Sequence, residues 1–262
     1  MRHTFTLFIS MIFLSSCATS PTGRNQMLLY SDSQLSEMGA QAFSGMKDSV
    51  KVSQQPIENR YVQCVANHIT AQVSKDVFSG QWEVVVFDDE QVNAFALPGG
   101  KIGVYTGLLK VATNQHQLAA VIGHEVGHVI AHHGNERMSQ STLINIGAQA
   151  VSQIMAANEV SNSGPIMAAI GLGVQVGIQL PFSRTHESEA DEIGLSLMAK
   201  AGFQPAEAIE LWKNMEKASG GQRQPELLST HPAPQTRIAD LTALLPNAQA
   251  IHKTSSTRPT CD

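Results

Sequence analysis

Apolar positions near the start of the chain fall into two helical rhythms. Leu35, Met38, Ala42 and Met46 keep helical spacing behind a capping Ser31-Asp32-Ser33, which predicts a helix over about 34–47. Ile57, Tyr61, Val65, Ile69 and Val73 recur every four residues and predict a second amphipathic helix. The rhythm then changes. Trp82 to Phe87 reads as a strand, Val92 to Leu97 as another, and Pro98-Gly99-Gly100 turns the chain into a third, Lys101 to Tyr105. Residues 117–131 are helical and largely apolar, and Ser141 to Ala157 is a further helix. After a polar break, residues 166–180 are apolar but interrupted by glycines at 171, 173 and 177. A buried, closely packed helix fits them best, with a membrane-contacting lid as the alternative. A helix through Asp191 continues to about Lys200, another covers about 206–217, residues 219–225 form a loop, and a last helix covers Pro234 to Leu244. No internal repeat interrupts this order, so the expected class is α+β, mostly helical, with a small sheet.

Inside the apolar run at 117–131 sits His124-Glu125-Val126-Gly127-His128. Helix positions four apart share a face, so the two imidazoles can hold one metal ion. Glu125 is then placed to hold a water and take its proton. The same letters also fit a helix with two surface histidines and a solvated glutamate. The apolar flanks argue otherwise, because such a group inside a buried helix is costly unless something compensates it. Gly123 and Gly127 weaken the helix and imply close packing.

A catalytic zinc needs a third protein ligand. A histidine ten residues after the first is excluded, because Gly134 stands there and Ala131 replaces the glycine that pattern requires. His132 lies about 12 Å along the axis from His124, so His132 and His133 read as helix-end polar residues. A carboxylate on another helix remains, and the best candidate is Glu187, with Asp191 four residues on and on the same face. Asp191 would accept a hydrogen bond from a ligand imidazole and fix its tautomer. Glu189 points elsewhere and reads as a solvated carboxylate. The whole cluster also fits an acidic first turn after Pro181.

H-E-x-x-H followed at a distance by Glu187-Ser188-Glu189-Ala190-Asp191 resembles the gluzincin metallopeptidases related to HtpX, the CAAX prenyl endopeptidase and the Oma-type protease. Within them the nearest look is to bacterial periplasmic lipoprotein proteases of the LoiP and BepA type. Residues 93–100, Thr106 to Leu109, and Thr230-His231-Pro232 with Arg237 and Ile238 are similar to further family segments, and the likeness covers about 30–245. It implies a zincin-like domain with one Zn2+ per chain on His124, His128 and Glu187, Glu125 as general base, and Asp191 orienting a ligand. It also implies that His231 approaches the metal, either to stabilise an oxyanion or to cap the site in a resting state. From the residues alone, His231 is a surface histidine before a helix. The activity implied is a zinc endopeptidase acting on unfolded or misassembled envelope proteins, with outer-membrane assembly machinery as a partner. The alternative is a non-catalytic, zinc-stabilised adaptor or chaperone of outer-membrane protein assembly. Residues 92–97, just ahead of the metal helix, could offer an edge to an extended peptide.

At the start of the chain, Arg2 and His3 precede an apolar run from Phe5 to Leu14, then Leu14-Ser15-Ser16-Cys17. A basic region, a short apolar region and small residues describe a secretory signal, and the cysteine resembles a bacterial lipobox. Cleavage before Cys17 and its lipidation are expected, and Ala18 points to the outer membrane, facing the periplasm. Residues 1–16 are then a signal, 17–30 a lipidated tether, 31–250 the metallopeptidase domain and 251–262 a tail. Net charge is −5, and −6 without residues 1–16, leaving 16 basic against 22 acidic side chains. That balance, without a basic stripe, argues against nucleic acid. Cys64 and Cys261 remain as an even pair, expected as a disulfide, with two free thiols as the alternative.

Overall fold

A computed structural model of the chain describes residues 17–158, 160, 163–174, 180–219, 227, 231 and 236–261. The expected signal at 1–16 lies outside them. In chain order come β1 (Cys17–Thr19), β2 (Asn25–Met27), α1 (Asp32–Ser49), α2 (Pro56–Thr70), β3 (Glu83–Phe87), β4 (Ala94–Leu97) and β5 (Lys101–Tyr105). After them come α3 (Gln115–Ile130), α4 (His133–Ala157), α5 (Ser163–Val174), α6 (Leu180–Lys200), α7 (Glu207–Ser219) and α8 (Arg237–Thr254). The chain divides into two compact units, one of Asp32–Ala131 with His186–Asp262, the other of Met1–Ser31 with His132–Thr185.

The first unit is built round a three-stranded sheet of order β3-β5-β4. β3 runs parallel to β5 and β4 antiparallel to it. Gly99 and Gly100, at φ +82° and +70°, make the turn between β4 and β5 in the left-handed region that suits glycine. On one sheet face Val86, Ile102 and Val104 join the large core with Val62, Val65 and Ile69 of α2 and Leu118 and Ile122 of α3. On the other, Phe87 and Phe95 meet Phe43 of α1 edge to face. Asn114 caps α3 by accepting hydrogen bonds from the backbone N–H groups of His116 and Gln117. From Gln117 to Gly127 every residue of α3 is buried. β4 is an edge strand, and α3 packs against it.

α8 runs past the expected end at Leu244, with Pro246 inside it, while the expected start at Pro234 lies outside the described residues. The last residues return to the core, tied by the expected disulfide. Cys261 is disulfide-bonded to Cys64 on α2, and Gln115 accepts from the Cys261 N–H and donates to the Pro259 carbonyl. Closing a loop over a sequence separation of 197 residues contributes about 5 kcal/mol at most on the chain-entropy model.

In the second unit, residues expected as a tether hold an antiparallel pair, β1 with β2. Arg24 donates to both carboxylate oxygens of buried Glu136 on α4, at 2.7 Å each, and Gln26 adds a third hydrogen bond. The Leu29 N–H donates to Ser139, and Asn135 donates to the Tyr30 carbonyl. α4 starts at His133, before the expected Ser141. His132 breaks the chain at φ +53° and His133 opens α4, so both stand at a helix end as expected, with His133 buried. The expected buried helix over 166–180 is corrected: α5 contains no buried residue, and residues 175–179 lie outside the described set. No helix among the described residues is long and apolar enough to cross a membrane.

Candidate metal centre

The first unit brings four expected residues to one point. His124 and His128 come from α3, Glu187 from α6, and His231 from the segment ahead of α8. The Nε2 atoms of His124 and His128 are 3.0 Å apart. Glu187 Oε2 is 3.2 Å from His124 Nε2, and Glu187 Oε1 is 3.5 Å from His128 Nε2. His231 Nδ1 stands 3.1 Å from Glu187 Oε1 and 3.4 Å from His124 Nε2. A tetrahedral zinc with bonds near 2.0 Å has ligand–ligand edges of about 3.3 Å, so this donor set fits that ion.

Glu125 is the next residue of α3 and is 3 % exposed. Its Oε1 has no hydrogen-bond partner among the described residues and lies 3.6 Å from His231 Nε2. A cavity of about 20 Å³, walled in part by Glu125, His231, Trp212 and Leu227, has room for one water molecule.

A layer of charge lies behind the donors. His124 Nδ1–H donates to Asp191 Oδ1 at 2.9 Å, which leaves Nε2 facing the cluster. Arg237, at the start of α8, donates to both Asp191 oxygens at 2.7 Å and to Glu187 Oε2 at 3.1 Å. Its guanidinium lies 3.8 Å from the centre of the Trp212 ring. Arg237 was not singled out for a role in the sequence. The family likeness marks the segment that holds it but not what it does, because its partners are far away in the chain.

Burial and the Arg237 charge push the His124 pKa down, but hydrogen bonds to Asp191 and Glu187 outweigh them and raise it to about 9. A metal held by Nε2 would take the place of that proton. Burial would raise both carboxylates. Hydrogen bonds from His124 and His231 reverse this for Glu187, and Arg237 with His124 reverses it for Asp191, so both are held below the usual carboxylate range. Glu189, expected to be solvated, is buried on α6, which corrects that expectation.

α3 and α6 approach closely because small residues face each other. A Cβ on Gly194 would stand 2.7 Å from the His124 amide nitrogen, and one on Gly127 would stand 2.9 Å from the Ala190 carbonyl. Gly194→Ala is therefore expected to push the two metal-bearing helices apart and destabilise the fold by about 1–3 kcal/mol. Urea unfolding checks this, and an unchanged midpoint would rule out tight contact at that crossing.

The family model described as Peptidase family M48 matches residues 56–245. This chain belongs to that family. The yeast (Saccharomyces cerevisiae) protein named mitochondrial metalloendopeptidase OMA1 is 33% identical over 76% of the chain and 58% of its own length. The zebrafish (Danio rerio) OMA1 metalloendopeptidase, also named mitochondrial, is 35% identical over 92% of the chain and 53% of its own length. The β-barrel assembly-enhancing protease of Escherichia coli is 26% identical over 87% of the chain and 47% of its own length. The chain thus spans about half the length of these relatives. Family membership fits the mostly helical zincin-like domain. It implies a metal and polypeptide substrates. The OMA1 names overturn the bacterial outer-membrane location expected from Cys17 and Ala18. The narrower likeness to periplasmic lipoproteins is likewise not singled out, since the OMA1 proteins match at higher identity than the bacterial one.

Proposed function

We propose that this chain is a zinc-dependent endopeptidase that hydrolyses unfolded or misassembled polypeptides. One observation carries this: four donors at tetrahedral spacing beside a buried Glu125 oxygen that has no hydrogen-bond partner among the described residues. His124, His128 and Glu187 would hold the ion, with Asp191 orienting His124. When bound, the metal supplies Lewis acidity toward a water and a peptide carbonyl. Glu125 takes the proton of the attacking water and delivers it to the departing amine nitrogen as the C–N bond breaks. His231 would serve as a further ligand to the ion at rest, or donate to the developing oxyanion.

Substrate presentation draws on β4. Phe95 is paired with Gly103, and the Asn93 carbonyl accepts from the Tyr105 N–H, so Ala94 and Ala96 turn their backbone groups to the outer edge. The Val92 carbonyl on that edge already accepts from the Leu227 N–H. An extended chain can add there as a strand without sequence-specific contacts, which suits unfolded substrates.

A second reading has one observation in its favour. Four protein donors close a site, and closed sites are structural, so the chain could be a zinc-stabilised adaptor instead. Two variants decide between them, with zinc counted and cleavage of unfolded casein followed. Glu187→Ala is expected to lose both zinc and cleavage. His231→Ala is expected to keep zinc and to change the cleavage rate, upward if His231 is a cap and downward if it serves the transition state. Zinc retained in both variants, with no cleavage by either or by the parent, would favour the adaptor.

Lipid attachment at Cys17, the first residue of β1, belongs to the same proposal and is supported by Leu14-Ser15-Ser16-Cys17. The mass of the peptide beginning at Cys17 tests it, and an unmodified cysteine in membrane-bound protein rejects it.

A further inference from the structure

α5 is apolar on every side and yet buries none of its residues, with only Met167 and Val174 partly covered. Ile166, Ile170 and Leu172 are 43%, 41% and 61% exposed, and the same unit exposes Ile146 and Ile154 on α4. At 100° per residue, Ile166 and Ile170 lie on one face of α5, with Ala168 and Leu172 on the opposite side. From Met138 to Ser183 the chain carries a single Asp, Glu, Lys or Arg, namely Glu159. An all-round apolar helix is matched by surroundings that are apolar all round. A protein partner covers one face of a helix, whereas lipid surrounds it.

We infer that α5 and the C-terminal half of α4 lie in the surface layer of a lipid bilayer. Twelve residues of α5 extend about 18 Å, less than the roughly 30 Å of a hydrocarbon core, so the helix enters the layer without spanning it. The absence of Lys and Arg from the stretch makes attachment depend on apolar burial, not on anionic headgroups or low salt. The same compact unit contains β1, which begins at Cys17, and is tied to α4 through Leu29 and Tyr30. Acyl chains on Cys17, as proposed above, and the apolar helices would thus be two attachments of one body, the helices binding by themselves and the acyl chains strengthening that hold.

Vesicle flotation tests this apart from lipidation and apart from peptidase activity. The protein is purified with Cys17→Ser and without residues 1–16, keeping all described residues, and mixed with phosphatidylcholine vesicles. It is expected to float with them equally at low and high salt. Adding Ile170→Glu and Leu172→Glu is expected to weaken binding on the order of tenfold or more, because two exposed apolar contacts become charged. Circular dichroism and zinc content should stay unchanged, since neither residue is buried or belongs to the donor cluster. No flotation of the parent, or equal flotation of the double variant, overturns the inference. So does a dimer in solution that the double variant dissociates, which would make a second copy the occupant.

Discussion

Glu125→Gln is expected to keep the metal and to lose hydrolysis by on the order of a hundred- to ten-thousandfold, the range a positioned general base contributes. The substitution preserves shape at a site where Glu125 is buried on α3. It removes the one property the proposal needs, a basic oxygen facing the reaction. Zinc should stay because Glu125 is not among the four clustered donors. Casein cleavage and zinc content, measured on parent and variant together, check both halves. Turnover at the parent rate would remove Glu125 from the chemistry, and loss of zinc would make it a ligand.

Arg237→Met should be the most damaging change to stability in this region. Arg237 is buried and neutralises Asp191 and Glu187 through hydrogen bonds of 2.7–3.1 Å. Methionine fills part of the volume beside Trp212 but leaves two buried carboxylates without their guanidinium partner. Breaking a buried ion pair from one side costs about 3–5 kcal/mol. The loss should be full in chelator and smaller with zinc, whose charge replaces part of what the guanidinium supplied. Urea unfolding under both conditions reads this directly. An unchanged midpoint in chelator would show that Arg237 is not what holds the carboxylates.

What was legible in the chain was local. Periodicity placed α1, α2 and the strands within a few residues, because each buries one face and its pattern records which. The pair His124 and His128, and the pair Glu187 and Asp191, were legible because each repeats at one helical turn. Arg237 was not, since its two salt bridges join α8 to α6 across the fold and a lone arginine after Thr230-His231-Pro232 carries no such signal. Glu189 looked like a solvated carboxylate because burial depends on what packs beside a helix, not on the helix itself. The same blindness works in reverse for α5, whose apolar composition suggested a buried helix while none of its residues is buried among the described ones. Location failed for another reason. A lipobox-like cysteine speaks of attachment, and the mitochondrial names of the OMA1 relatives do not support the membrane inferred from it.

The most direct measurement is cleavage of unfolded casein by the purified chain as made, stripped with chelator, and refilled with zinc, with the metal counted in each sample. The expected result is cleavage that disappears with the metal and returns as the content reaches about one zinc per chain. Undiminished cleavage by metal-free protein would contradict the account. So would fully loaded protein that cleaves nothing both as the parent and as His231→Ala.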